Sequence, residues 1–242
     1  MKMLTFANRC TKEILRDPLN LAFGLGFPIV LLLLLTAIQA NVPVPLFEIA
    51  HLTPGVCVFG LSFITLFSAT IIAKDRKSTL LQRLYTTPMR ASDFILGYTL
   101  PLLPIAAAQC AITYAVALFL GLHLSVNILV AIVLILPISF LFIALGLLCG
   151  SIFTDKQVGG ICGALLTNLT AWLSGTWFDL TLVGGIFEKV AYALPFVHAV
   201  EAERAVLNGD FGGIFPHLWW VLGYGVVLMT AAILLFLRQM KR

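Results

Sequence analysis

The chain is 242 residues long, and 60% of it is hydrophobic while only 11% is charged. A soluble domain usually carries about 25% charged residues, so this composition excludes an ordinary water-solvated fold. The net charge of +4 is small and scattered along the chain, which argues against nucleic-acid binding.

Residues 1–18 precede the first long apolar stretch and have an amphipathic pattern. One face of the predicted helix is apolar and consists of Met3, Ala7, Cys10 and Ile14. Such a helix suits the membrane interface, with its apolar side toward the membrane and its cations toward the lipid headgroups. We therefore predict an amphipathic interface helix over 1–18.

Most of the remaining chain lies in stretches without Asp, Glu, Lys or Arg. These stretches are residues 18–47, 49–73, 94–154, 157–178 and 211–237. A membrane-crossing helix needs about 20 apolar residues, and the third stretch is long enough for two. The sequence predicts an all-α membrane protein with six transmembrane helices in a domain over 19–237. The predicted spans are about 19–39, 54–73, 94–120, 128–153, 158–178 and 215–237.

The distribution of Lys and Arg predicts the orientation. Thirteen of the 15 lie in alternate connecting segments, namely 1–18, 74–93, 154–157 and 238–242. Because cytoplasmic loops carry the Lys/Arg excess, we expect cytoplasmic termini, a cytoplasmic tail at 238–242 and an external loop at 179–214. The protein is expected to be a multi-pass protein of the cell (plasma or inner) membrane.

The predicted spans contain no charged residue, which disfavours an ion-coupled carrier. Asn168 and Gln109 are costly in lipid, so we expect both to face protein or a cavity. A path lined by apolar and neutral polar groups suits a lipophilic or amphipathic substrate. The chain has no phosphate-binding loop of its own, so uphill transport would need energy from another polypeptide.

The charged segment 75–90 has a helical pattern of its own. Leu80 and Leu84 share one stripe with Leu81 beside it, and Pro88 bounds the helix. A short helix between two spans can transmit force if a partner protein grips it. Periodicity alone leaves a second interpretation open, in which the segment is an interfacial loop that only enforces topology.

The same segment resembles the signature between the second and third spans of ABC transporter type-2 permeases. That signature reads roughly Glu-Arg/Lys-x-x-Gly-x-Leu-x-Arg-Leu-x-x-Thr/Ser-Pro, with a glycine before the next span. Matching or conservatively replaced positions are Asp75, Arg76, Leu81, Arg83, Leu84, Thr87, Pro88 and Gly97. Thr79 stands where the family usually has glycine.

A second resemblance lies in residues 184–209. Pro195 divides two short helical patterns, and Gly209 closes the second of them. The run Leu-Pro-Phe-x-His-Ala-Val-Glu-Ala-x-Arg, which contains His198, Glu201 and Arg204, is similar to that of drug-exporter members of the family. The resemblance implies an external re-entrant helical hairpin before the last span.

The resemblance implies a non-catalytic permease subunit of an exporter. Such a subunit pairs with a second copy or a homologous permease, and a cytoplasmic ATPase subunit binds the ATP and Mg²⁺ that this chain does not bind. The implied ATPase-coupling residues are Asp75, Arg76, Lys77, Thr79, Leu80, Leu81, Arg83, Leu84, Thr87 and Pro88. We hypothesise that Arg76 and Arg83 contact ATPase carboxylates and that the three leucines fill a hydrophobic groove of the ATPase.

Four glycines flank the short loop at Asp155, namely Gly146, Gly150, Gly159 and Gly163. Their spacing predicts a close approach of the fourth and fifth helices, either within the chain, which we favour, or at a dimer seam.

Two other classes of function stay open on sequence grounds. An intramembrane enzyme would need Ser174 to meet a base, and the nearest later histidine is His198. An ion-conducting channel or carrier would work without ATP. No Cys-x-x-Cys pair occurs among the five cysteines, so we predict no metal site.

Overall fold

The computed structural model describes residues 2–42, 47–78 and 91–240 of the chain, and across these residues the fold is helical with no β-strand. The α-helices, numbered in chain order, are α1 (Lys2–Leu15), α2 (Pro18–Leu21), α3 (Phe27–Gln39), α4 (Ile49–Lys77), α5 (Ala91–Thr99), α6 (Leu102–Phe119), α7 (Asn127–Ile152), α8 (Asp155–Val158), α9 (Thr167–Leu173), α10 (Gly185–Ala193), α11 (Pro195–Leu207) and α12 (Phe211–Met240). Two π-helical segments (Ala22–Gly26 and Gly159–Leu166) and a 3₁₀ turn (Leu180–Leu182) complete the described elements.

The predicted all-α membrane class is confirmed for the described residues. Five helices there are long and apolar enough to cross a membrane: Ala22–Gln39, Ile49–Lys77, Ser92–Phe119, Asn127–Ile152 and Phe211–Arg238. The second is longer than the predicted span 54–73, because α4 continues through Lys74, Arg76 and Lys77 in its last turn. Cations at this position stabilise the carboxyl end of a helix.

The predicted fifth span, 158–178, is a composite helix. The run consists of α8, the π-helical segment and α9, and it ends at Leu173. The Thr167 hydroxyl donates to the Cys162 carbonyl at 3.0 Å, a spacing of five residues that suits the wider π-turn. This run is not among the five spanning helices of the described chain, so the six-span arrangement stays a prediction.

Helix α4 forms the centre of the bundle and packs most closely against α7. A methyl group on Gly146 would lie 2.6 Å from the Thr65 carbonyl oxygen, and one on Gly150 would lie 2.7 Å from that of Ala69. The Thr65 hydroxyl donates to the Phe142 carbonyl at 2.9 Å across the same contact. The two glycines therefore let the backbones of α4 and α7 approach closely.

This contact corrects the expected partner of the glycines. Among the described residues, no other side chain or backbone segment lies within 4 Å of a methyl placed on Gly159, and one placed on Gly163 meets only the end of the Leu66 side chain, at 3.5 Å. The close approach predicted for the fourth and fifth helices occurs between the second and fourth spans instead. Spacing identifies a small-residue face, but it does not identify the helix that covers that face.

The apolar face of α1 is covered by protein, which corrects its predicted contact with the membrane. Phe6, Cys10 and Ile14 are buried, and the Phe6 ring contacts Phe94 and Tyr98 of the α5 region at centroid distances of 5.6 and 4.9 Å. A Cβ at Gly97 would collide with the Phe6 ring, so glycine is needed there. An apolar stripe can be covered by lipid or by protein, and periodicity does not distinguish the two.

The last turns of α12 pack against the same aromatic side chain of α5 as α1 does. The Phe94 ring lies 5.7 Å from the ring of Phe236, near the end of α12. Phe94 also contacts Phe6 of α1. The amino- and carboxyl-terminal helices therefore lie at the same end of the bundle. The side of the membrane on which this end lies stays a prediction.

Candidate functional site

Contacts of charged side chains between helices lie at two ends of the bundle. We call the end that contains α1 and residues 74–77 the proximal end. The other end contains α10, α11 and the turn at 174–179, and we call it the distal end. The helix α4 begins at the distal end and finishes at the proximal one, since His51 and Asp75 lie in its opposite terminal turns.

At the proximal end a buried carboxylate joins three helices. Asp75 is 1% exposed, and its Oδ2 and Oδ1 accept hydrogen bonds from the two terminal nitrogens of Arg9 at 2.5 and 2.6 Å. The Tyr98 hydroxyl donates to the same Oδ2 at 2.8 Å. These bonds raise the pKa of the Arg9 guanidinium. Helix α1 is thereby attached to the last turn of α4 and to α5.

The neighbouring coupling residues also have partners within the chain. Arg76 Nη1 donates to the carbonyl oxygens of Gly150 and Phe153 at 2.8 and 3.3 Å, which satisfies the carboxyl end of α7. Lys77 Nζ lies 3.9 Å from Asp155 Oδ2, and its side chain is largely exposed. The contact of Arg76 with an ATPase stays a prediction, but the structure assigns this side chain a partner inside the bundle.

The rest of the predicted coupling helix lies outside the described residues. This holds for Thr79, Leu80, Leu81, Arg83, Leu84, Thr87 and Pro88. Their predicted roles stay predictions.

At the distal end a buried arginine ties α11 to two other parts of the chain. Arg204 is 7% exposed, and its Nη2 donates to the Gly175 carbonyl at 2.8 Å while its Nε donates to the His51 carbonyl at 3.3 Å. Nη1 pairs with Glu201 at 2.8 Å. Gly175 has φ 67°, a left-handed conformation that favours glycine, and the turn it makes follows α9.

The predicted hairpin residues fit two short helices that meet at Leu194. Pro195 is the first residue of α11, and Gly209 has φ 76° in the turn that ends it. His198 Nδ1 lies 2.8 Å from His217 Nδ1 of α12, and His198 Nε2 lies 3.0 Å from the Tyr192 carbonyl. Since a carbonyl only accepts, His198 carries its hydrogen on Nε2 and accepts from His217. Burial lowers the pKa of His198, which favours the neutral form of this imidazole.

One buried carboxyl group was missed by the sequence reasoning. Glu203 of α11 is completely buried, and the Tyr114 hydroxyl donates to its Oε2 at 3.2 Å. Its Oε1 has no hydrogen-bond partner within the described part of the chain. The sequence does contain a sign of this burial. Glu203 lies three residues after Val200 and three before Val206, so it shares the apolar face of α11. Burial raises the pKa of the carboxyl to about 8.

The Glu203→Gln variant is expected to lose part of the pH dependence of stability. The carboxyl pKa is about 8 when folded and has an ordinary value of 4.5. Between these values the folded chain keeps a proton that the unfolded chain releases, so stability falls as the pH rises through this window, by at most about 1.4 kcal/mol per pH unit. Thermal unfolding in detergent from about pH 5 to pH 8 measures this slope.

The matched control for this prediction is Glu188→Gln, which changes a carboxyl group of α10 in the same hairpin. The control should keep the wild-type slope. An equal slope in the wild type and in Glu203→Gln would show that the Glu203 proton does not contribute.

The two amides inside predicted spans have different surroundings. Gln109 is 1% exposed, and its Nε2 lies 3.5 Å from the Cys57 carbonyl, as expected for an amide that faces protein. Asn168 is exposed on the outside of the chain and donates to the Ala164 carbonyl of its own helix at 2.8 Å. The expectation that both amides face protein or a cavity is therefore wrong for Asn168 within this chain.

Among the described residues, the side chains considered for catalysis have other hydrogen-bond partners. No group of three or more His, Cys, Asp or Glu side chains there could hold a metal ion. The Ser174 hydroxyl shares a 2.6 Å hydrogen bond with Thr176, and His198 contacts Tyr192 and His217 instead.

Long apolar helices with polar clusters at both ends define a multi-pass helical membrane protein. The family model for the ABC-2 type transporter matches residues 1–208, and the chain belongs to this family. The resemblance of the sequence to this family is thereby confirmed. Membership assigns the chain to the transmembrane components of ABC transporters.

A curated relative is "ABC transporter G family member 20" of Dictyostelium discoideum. It is 24% identical over 194 residues, which cover 78% of this chain and 26% of the relative. The chain therefore spans about a quarter of the length of that relative.

Proposed function

We propose that the chain is the permease subunit of an ABC exporter. It moves a lipophilic or amphipathic substrate, such as a drug, peptide, lipid or glycan, outward across the membrane. ATP is hydrolysed on a separate cytoplasmic ATPase subunit, which binds the ATP and Mg²⁺. A second copy or a homologous permease completes the transporter. Membership of the ABC-2 family supports this proposal.

The observation that carries the proposal is the hydrogen-bonded cluster of Arg9, Asp75 and Tyr98. Asp75 precedes residues 79–90 in the chain and Tyr98 follows them, and the two side chains are bonded to each other at 2.8 Å. Arg9 bonds the N-terminal helix to the same carboxylate. A force applied to residues 79–90 would therefore act on α1, α4 and α5 together rather than on the end of a single helix.

Helix α4 supplies the path from that cluster to the distal end. Its 29 residues extend over roughly 43 Å at 1.5 Å per residue. Its first turn carries the His51 carbonyl, which accepts from Arg204 of α11. Because the helix is continuous, a displacement of its last turn would move the contact that holds the hairpin. This connection supports coupling of the ATPase to opening on the far side.

Co-purification tests the proposal. The chain is expected to purify with a soluble ATP-binding-cassette ATPase, and Arg83→Glu or Leu84→Ala is expected to reduce ATPase assembly and transport about tenfold, a loss of about 1.4 kcal/mol in the contact. Lys156→Glu is the control, because it reverses an exposed cation of α8 outside the coupling helix.

Unchanged assembly and transport in both coupling variants would contradict the role of the coupling helix. Transport or hydrolysis by the isolated chain without nucleotide would favour the alternatives, an ion-conducting channel or carrier or an intramembrane enzyme.

A further inference from the structure

We propose that the proximal end binds one anionic phospholipid, whose headgroup phosphate pairs with Lys12 and Arg16. A cavity of about 740 Å³ lies between α1, residues 16–18 at the start of α2, and Lys74 of α4. Its wall includes both of these cations together with Asp17, Pro18 and Lys74. Its volume is ample for a phosphate with its glycerol substituent.

The charge balance of the cavity favours an anion. Arg9 is neutralised by Asp75 and Glu13, and Lys74 Nζ lies 3.5 Å from Asp17. Across the described ranges, neither of the two proposed phosphate ligands has a carboxylate partner. Residues 79–90 contain no Asp or Glu, so that segment cannot neutralise them either. Arg16 directly follows α1, and its N–H donates to the Lys12 carbonyl at 3.1 Å, so the two cations lie one helical turn apart and both can reach one phosphate.

The position of the cavity matches the headgroup layer. Pro18 precedes Ala22, where the first spanning helix begins, by four residues, or roughly 6 Å of helix. The polar layer on each side of a bilayer is about 5–8 Å thick. Basic pockets at this depth are suited to anionic headgroups. We therefore expect Lys12 and Arg16 to lie at the depth of a lipid phosphate.

Exposed apolar side chains that lie close to the cavity-lining residues along the chain favour a lipid over a soluble anion or an acidic protein. Leu15 is 59% exposed on α1, and Phe23 is 51% exposed within the first span. The opposite face of α1 is buried against α5, so this side of the helix faces outward. A lipid can contact these apolar side chains as well as the cations, whereas a free phosphate or an ATPase carboxylate matches the cations alone.

The test is lipid binding by the full chain, purified in neutral detergent together with any ATPase that accompanies it. Native mass spectrometry counts bound dioleoylphosphatidylglycerol and dioleoylphosphatidylcholine. The Lys12→Ala/Arg16→Ala variant is expected to bind phosphatidylglycerol about tenfold less, and binding by the wild type should weaken in high salt. Phosphatidylcholine binding should be weak and equal in both proteins.

The matched control is the Lys156→Ala/Arg238→Ala variant, which removes two exposed cations that do not line the cavity. This variant should bind lipid like the wild type. A charge-preserving Lys12→Arg/Arg16→Lys variant should retain binding even if the alanine variant folds poorly.

Three results would overturn the proposal. The first is equal phosphatidylglycerol binding by the wild type and the alanine variant. The second is competition by glycerophosphoglycerol, which lacks acyl chains, at the same concentration as the lipid, because the site would then bind a soluble anion. The third is loss of the ATPase subunit from the alanine variant with lipid binding unchanged, which would assign the surface to that protein. None of these results depends on transport activity.

Discussion

Replacing Asp75 with alanine is expected to lower the free energy of unfolding by about 3 kcal/mol, because it leaves a cation and a tyrosine hydroxyl without their shared acceptor. Asp75 is 1% exposed and receives two bonds from Arg9 and one from Tyr98. Arg9→Ala should be comparably damaging, since it leaves a buried carboxylate with only a hydroxyl donor.

A double-mutant cycle over Arg9 and Asp75, followed by chemical unfolding in detergent, measures the interaction. The double variant should be less destabilised than the sum of the two single variants. Asp155→Ala is the control, because Asp155 makes a longer pair, at 3.9 Å, with an exposed lysine, and such pairs contribute little. Additive effects at Arg9 and Asp75 would contradict the prediction.

A further variant at Asp75, Asp75→Asn, tests coupling. Asn in place of Asp75 keeps one acceptor oxygen for Tyr98 but removes the charge that holds Arg9. If the cluster transmits force as proposed, this variant should still assemble with the ATPase while transport per ATP hydrolysed falls. Normal transport in a stably folded Asp75→Asn protein would assign the cluster a purely structural role.

Replacing Arg204 with alanine is expected to cost about 3 kcal/mol of stability at the distal end. The substitution removes the donors to the Gly175 and His51 carbonyls and leaves Glu201 without its cation. Lysine should restore little of the loss, because an ammonium cannot present the planar fork that reaches three acceptors in different directions.

Thermal unfolding of Arg204→Ala, Arg204→Lys and Lys189→Ala checks this prediction. Lys189 is the other cation of the loop 179–214 and is exposed on α10, so its removal should leave the unfolding temperature nearly unchanged. Equal unfolding temperatures for Arg204→Ala and Lys189→Ala would show that the buried guanidinium does not stabilise the hairpin.

Features that depend on local composition were accessible from the sequence. Stretches without charge predicted apolar helices, and five helices of the described chain meet the requirement for crossing a membrane. The segment 75–88 indicated the family, although most of its coupling residues lie outside the described structure. Gly97 belonged to that signature, and its physical reason is the Phe6 ring that packs against it.

Glu203 is a buried carboxyl group that the composition of the spans does not predict. No predicted span carries a charge, yet α11, a short helix outside the spans, brings this carboxyl into the core. Asn168 is the opposite case, since a polar residue within a predicted span lies on the outer surface of the chain.

The sequence by itself determined which segments are helical and apolar, because hydrophobicity and helix formation depend on neighbouring residues. Only the tertiary structure decided which helices meet. Arg9 is hydrogen-bonded to Asp75, which lies 66 positions away along the chain, and Tyr114 to Glu203, which lies 89 positions away. In a chain whose helices are apolar on nearly every side, periodicity does not select the partner. The close approach that small residues allow and the need to satisfy each buried charge select it instead.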